Sequence, residues 1–270
     1  MTPTFAFAVP HAPWLPGRSA SLLRLQRALQ RPVSIFADQE PAAAWSERIW
    51  RHLESADDVT HGVVLQDDQR AAPNFCAALS ALVTAYPDAV IALHSMHPGA
   101  RTLAREGTHA YTTTDGIVGT GYVIPRSELP AFRGFRELEL KPGAQAAVTE
   151  DLVLAMFCMS TGRRIVSPCP TLIDHDTELA SSAGQEREKQ EWRRPSVTWE
   201  DLPVLGHEIG DLERPEFWAP AQHLGTFYPA VHTACLIHCR SFTIADAQAA
   251  TADRCPAKYG RFLAAHARAK

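Results

Sequence analysis

Four short apolar runs, residues 5–9, 33–37, 63–65 and 89–93, are separated by three segments whose apolar residues recur at helical spacing. Leu22, Leu25 and Leu29 mark the first segment, Trp45, Ile49, Trp50 and Leu53 the second, and Phe75, Leu79, Leu82 and Val83 the third. Runs of strand length alternating with amphipathic helices need crossovers between parallel strands. Such crossovers are right-handed and cover both faces of the sheet. The expected fold class is therefore α/β, a three-layer sandwich with a mostly parallel central sheet and a Rossmann-like nucleotide-binding half. Pro10 is expected to close the first strand, and Ser19 to cap the first helix.

Further along, residues 110–114 are β-rich and residues 122–125 form a strand leading into a turn. Residues 148–162 predict a helix with Thr149 as N-cap and Gly162 as its stop. Residues 164–167 read as a strand running on towards Asp174 and His175. Residues 181–201 are polar and charge-dense, and predict an exposed helix or loop. No repeat stands out, and the carboxyl-terminal third has no clear pattern.

The chain has 270 residues and a formal net charge of -4, so nothing global points to a polyanionic partner. Arg254, Lys258, Arg261, Arg268 and Lys270 make the end locally basic, which predicts a solvated helix before a nucleic-acid contact. The longest apolar run, residues 152–159, falls short of the roughly 20 residues that cross a bilayer, so no membrane span is expected. The first residues lack the basic start and long apolar core of a signal peptide. The 6 cysteines are scattered, as expected of a reduced, cytoplasmic protein. Cys235 and Cys239, with His232, His238 and Cys255 nearby, leave structural zinc open without a second clean pair.

Several residue types that do chemistry fall at predicted element ends. The third apolar run ends in Gln66-Asp67-Asp68. Adjacent carboxylates repel, so at a sheet edge they suit a hard cation with a diphosphate; a solvated turn is the plainer alternative. His175 offers an imidazole, which manganese accepts beside oxygen ligands. Glu150 and Asp151 open a helix, where they favour the dipole or serve as a general base. Arg18, Arg193 and Arg194 are placed to meet phosphates. No P-loop, dinucleotide fingerprint or G-x-S-x-G elbow is present.

In their order, Asp38, Leu65-Gln66-Asp67-Asp68, Gly119-Thr120-Gly121-Tyr122-Val123-Ile124-Pro125, Glu150-Asp151 and Pro170-Thr171-Leu172-Ile173-Asp174-His175 resemble nucleotide-sugar glycosyltransferases of the GT-A type. The small glycosyltransferase-like proteins of phages and prophages are the nearest in flavour. The resemblance spans about residues 5–200. It implies a GT-A domain over 1–205, with a nucleotide-binding part at about 1–100 and an acceptor part at about 101–205. Residues 206–270 would be an extension packed on that domain or part of it.

The resemblance implies a metal-dependent transfer of a sugar, from a UDP-sugar donor in the first instance, to an acceptor hydroxyl. Asp68 and His175 would ligate Mn2+ or Mg2+. Arg18, Asp38, Gln66, Asp67, Gly121 and Arg193 would contact the donor, and Asp151, with Glu150 alongside, would be the base. Gln66 stands where the family's acidic motif has a carboxylate, so Asp68 is expected to be the single carboxylate ligand. The acceptor would be a glycan or a hydroxymethylated base in phage DNA. Arg126, Arg133, Arg136 and Lys141 would then supply a local basic face. A nucleotidyltransferase with a similar acidic site, or a non-catalytic nucleotide-sugar binder, are the alternatives.

Overall fold

The computed structural model describes residues 2–37, 44–94, 97, 99–113, 121–143, 149–176, 178–179, 195, 198–201, 222–223, 235, 237–241 and 245. Asp38, Gly119, Thr120, Arg193, Arg194, His232, Cys255, most of residues 181–201 and the basic end lie outside them.

The expected alternation is present. It comprises β1 (Phe5–His11), α1 (Arg18–Leu29), β2 (Ser34–Ala37), α2 (Ala44–Ser55), β3 (His61–Leu65), β4 (Gln69–Ala71), α3 (Phe75–Ala85) and β5 (Val90–Ala92). Next come α4 (Ala100–Arg105), β6 (Ala110–Thr113), β7 (Gly121–Pro125), α5 (Leu129–Gly134) and a π-helical turn, Phe135–Glu139. The remaining elements are α6 (Glu150–Thr161), β8 (Ile165–Pro168), β9 (Ile173–His175) and the short β10 (Gln222–His223).

One eight-stranded sheet has the order β10-β6-β8-β5-β7-β3-β1-β2. β1 pairs in parallel with β2 and β3, and β5 with β8. β7 enters antiparallel between β3 and β5, so those two share a direction. β6 runs antiparallel to β8, with β10 parallel to β6. β3 and β7 are buried at every residue, as strands covered on both faces must be.

Two apolar clusters cover those faces. On one face, Leu22, Leu25 and Leu29 of α1 and Phe75, Leu79 and Leu82 of α3 pack on Val63 and Leu65. On the other, Ile49, Trp50 and Leu53 of α2, Phe132 of α5 and Val153–Cys158 of α6 pack on Val64, Tyr122 and Ile124. This is the three-layer α/β arrangement.

Three local expectations change. β1 continues through Pro10 to His11, because its pairing with β3 ends at Ala8 while β2 carries on to Ala37. Beyond Ala8 one side of β1 needs no donor, so a proline costs little there. Helix α1 starts one residue before Ser19, behind Gly17 at φ 80, and no side chain caps it. Helices α4 and α5 had no sequence signal, being six residues each. Packing forms them: Phe132 meets Trp50 edge-on at 4.8 Å and Phe157 at 5.3 Å. Thr149 and Gly162 do bound α6, with Gly162 left-handed at φ 71.

Residues 235 and 237–241 dock on this body. Cys239 bridges Leu140, Lys141 N–H donates to the His238 carbonyl at 2.7 Å, and Arg240 N–H to Glu139 at 2.8 Å. Cys235 and Cys239 are buried in the core beside α6. Burial raises the Cys158 thiol, and Cys169 is pushed up to about 12, so both stay protonated and inert.

Candidate active site

β3 stops at Leu65 because the chain turns there: Gln69 N–H donates to the Gln66 carbonyl at 3.3 Å, and Gln66 N–H to Gln69 Oε1 at 3.0 Å. Asp67 and Asp68 sit in that turn, yet they are only 3 % and 4 % exposed. A turn it is, but not a solvated one. Two adjacent carboxylates out of water demand positive charge, and the fold supplies it from α1.

Arg18, 3 % exposed, places Nη1 2.5 Å from Asp67 Oδ1 and 2.9 Å from Asp68 Oδ2. Gly17 makes this possible: its left-handed backbone swings the chain from the Pro-rich loop into the helix, with Arg18 turned inward. Asp67 Oδ2 accepts from Ala12 N–H and from His11 Nδ1, each at 2.8 Å. Arg18, expected to meet a donor phosphate, is thus the counter-ion of the acidic pair. Asp67 is fully engaged by α1 and the end of β1.

Asp68 faces the other way as well. β4 continues from the turn and pairs antiparallel with β9, matching Gln69 with His175 and Arg70 with Asp174. That two-stranded ribbon carries His175, distant in sequence, to 3.5 Å from Asp68 through its Nδ1. Asp176 N–H donates to the Asp68 carbonyl at 2.7 Å and secures the approach. Arg70 holds the ribbon's outer side through Asp174 at 2.6 Å. His94, at the end of β5, stands edge-on to His175 with ring centroids 5.9 Å apart.

Burial pushes the Asp68 carboxyl up. The hydrogen bond and charge of His175 and the charge of Arg18 more than offset it, so Asp68 lies below the usual carboxylate range. Asp68 Oδ1 and His175 Nε2 are buried and accept or donate no hydrogen bond. The two residues face each other through Asp68 Oδ2 and His175 Nδ1, and each keeps one buried ligand atom of a type that divalent cations accept. Among the described residues, no group of three or more His, Cys, Asp or Glu is arranged to hold a metal ion by itself.

Gly121 pairs with Leu65 at the same sheet edge. A β-carbon there would collide with Ile173 Cδ1 and lie 3.3 Å from Leu65 Cδ2 and 3.4 Å from Gln69 Oε1. The glycine therefore lets the ribbon that carries His175 lie against the sheet. Gly121→Ala is expected to cost about 1–3 kcal/mol by overpacking, read by urea unfolding. A loss of only a few tenths would mean that Ile173 swings aside.

Glu150 and Asp151 are placed apart from this cluster, on the α2 side of the sheet. Glu150 accepts from Trp50 Nε1 at 2.6 Å and Ser46 Oγ at 2.8 Å, and pairs with buried Arg136 at 3.3 Å. Burial raises its pKa against the charge of Arg136 and those two hydrogen bonds. Its carboxylate is committed to holding α2, α6 and the π-helical turn together. Asp151 is half-buried next to it.

The basic face suggested for DNA is largely ion-paired. Arg126 meets Asp57 at 2.5 Å, Arg133 meets Glu54 at 2.6 Å, and Arg136 meets Glu47 at 3.2 Å. Lys141 Nζ donates to the Ile237 carbonyl at 2.7 Å. A surface groove of about 630 Å³, lined by Glu54, Thr60 and Arg126 among others, lies at the opposite end of β3 from Asp68.

Sequence reasoning missed Arg18 as the partner of the acids, and His11 altogether. His11 follows an apolar run as Asp67 does, and that shared position at a strand end was the available signal. No helix among the described residues is long and apolar enough to cross a membrane. A scan against protein-family models finds no match to this chain, and a search of curated proteins finds none either.

Proposed function

We propose that this chain is a metal-dependent glycosyltransferase that moves a sugar from a nucleoside-diphosphate sugar, a UDP-sugar in the first instance, to an acceptor hydroxyl. The observation that carries the proposal is the meeting of Asp68 and His175 at the end of the central strand, each with one buried, unpartnered ligand atom. The order of parts along the chain supports a GT-A arrangement: an acid pair after the central strand, a glycine-bearing strand beside it, an acid pair opening a helix, and a late histidine.

In this reading Asp68 and His175 hold Mn2+ or Mg2+. A bound divalent cation supplies Lewis-acid stabilisation of the departing diphosphate's charge. Arg18 neutralises the charge of the acid pair while the donor is absent. Gln66, half-buried at the turn, offers an amide to the ribose. Asp151 takes the acceptor proton, with Glu150 acting through the framework of α6. Asp38 and Arg193 keep their proposed donor contacts, outside the described residues. The ion-paired arginines favour a glycan acceptor over DNA.

The test is thermal unfolding of the full chain with a panel of nucleotide sugars, with and without manganese. Ligand at a hundred times Kd adds about 2.7 kcal/mol, so one sugar nucleotide should raise Tm by several degrees only with metal. Asp68→Asn should lose that rise. Equal stabilisation of Asp68→Asn, or no stabilisation by any donor, would sink the proposal. Release of pyrophosphate in place of a nucleoside diphosphate would transfer the site to nucleotidyl chemistry.

A further inference from the structure

Beside the Asp68–His175 pair, three other residues form a hydrogen-bonded chain. Asp67 Oδ2 lies 2.8 Å from His11 Nδ1, and His11 Nε2 lies 3.3 Å from Ser19 Oγ. We propose that Ser19, His11 and Asp67 form a nucleophilic triad that hydrolyses small acyl esters, an activity separate from sugar transfer.

The chemistry follows from the donors and acceptors. An ionised carboxylate only accepts, so Nδ1 of His11 carries the proton that Asp67 receives. Nε2 is then the acceptor and takes the Ser19 hydroxyl hydrogen. Ala12 N–H donates to the same Asp67 oxygen, and Arg18 holds the other, which fixes the direction of the carboxylate. The members come in graded exposure: Asp67 is buried, His11 is half-buried and Ser19 is exposed. A buried orienting acid, a sheltered base and a reachable nucleophile are what acyl transfer needs.

Ser19 also sits in the first turn of a 12-residue helix. The amides of Arg18 and Ser21 on either side of it are bonded to Leu15 and Gly17. Those of Ser19 and Ala20 lie between, at the positive end of the helix dipole, where an oxyanion is stabilised. Trp14, 39 % exposed on the loop that joins His11 to Ser19, adds apolar surface for an acyl group.

The reaction balances with water as the only co-reactant. Ser19 Oγ bonds to the acyl carbon as its proton passes to His11 Nε2. The ester's C–O bond then breaks, and the departing alkoxide takes that proton and leaves as the alcohol. Water attacks the acyl-Ser19 ester, His11 takes its proton and returns it to Ser19 Oγ, and the carboxylic acid is released. Asp67 is a positioning residue throughout.

The test uses the full chain in chelator and without nucleotide sugar, so its outcome is independent of the metal site. A fluorophosphonate probe should form an adduct mapped by mass spectrometry to Ser19, with loss of fluoride. Ser19→Ala should abolish it, and His11→Gln should slow it at least about a hundredfold. Asp67→Asn should lower kcat for p-nitrophenyl acetate at unchanged KM, a split that a merely loosened strand end would not give. An unlabelled Ser19 in the wild-type chain, or ester turnover unchanged in Ser19→Ala, overturns the proposal.

Discussion

Arg18→Ala should destabilise the fold by about 3–5 kcal/mol at neutral pH, the usual result of leaving buried charge uncompensated. Arg18 spans Asp67 and Asp68, and all three side chains are no more than 6 % exposed. Removing the guanidinium leaves two neighbouring carboxylates with His11, His175 and the Ala12 amide as their remaining partners. Arg18→Lys should recover only part of the loss, since an ammonium is more strongly hydrated than a guanidinium and costs more to bury between the two acids.

The effect has a signed pH dependence. In the wild-type fold the Asp68 carboxyl lies below its unfolded value. Its contribution is therefore present above the unfolded pKa, roughly 4, and is lost as pH falls through the lower folded value. Without Arg18, the hydrogen bond and charge of His175 still depress the carboxyl, but the further contribution of the guanidinium is gone. The gap between the two proteins should shrink on acidification, as read by denaturant unfolding between pH 3 and pH 7. A gap that is constant over that range would mean Arg18 acts by packing alone.

The second large effect lies on the other face of the sheet. Glu150→Ala should also cost about 3–5 kcal/mol. It strips a partner from Arg136, which is 7 % exposed, and leaves Trp50 Nε1 and Ser46 Oγ without their acceptor. Glu150→Gln keeps an acceptor in place and should cost less, about 1–2 kcal/mol. Here the sign is opposite to that of Asp68. Burial raises the Glu150 carboxyl in the fold, so its contribution is present below the unfolded pKa and is lost as pH rises through the folded value. Relative to wild type, Glu150→Gln should therefore gain stability as pH rises from 4 to 7. Movement in the other direction would show that the Arg136 pair outweighs the cost of burying the charge.

These two sites bear differently on the proposed chemistry. The first is a pre-neutralised acidic turn beside a histidine with an unpartnered nitrogen, poised for charge exchange with a ligand. The second is a closed network in which each polar group of Glu150 has a partner. A base that must accept a proton from an acceptor hydroxyl is better sought in Asp151, whose neighbour already serves the framework.

Much of the layout was legible from the residues alone. Local periodicity set β1, β2, β3 and β5 and the helices between them, because a strand or helix buried on a known face repeats its apolar residues at a known interval. The end of β3 at two acids and the helix opening at Glu150 were equally local. What the sequence could not show is which distant residues share a space. His175 reaches Asp68 only because β4 turns back from the sheet and pairs with β9, a three-residue ribbon too short to leave a pattern. Arg18 reaches the acids because Gly17 turns α1 inward, and a lone arginine after a loop looks the same whether it faces water or a carboxylate. The same blindness hid His11, Ser19 and Asp67, which come together across two strand ends and a helix start. Periodicity records the average environment of a segment, while a site depends on the direction of single side chains, and tertiary packing alone decides that.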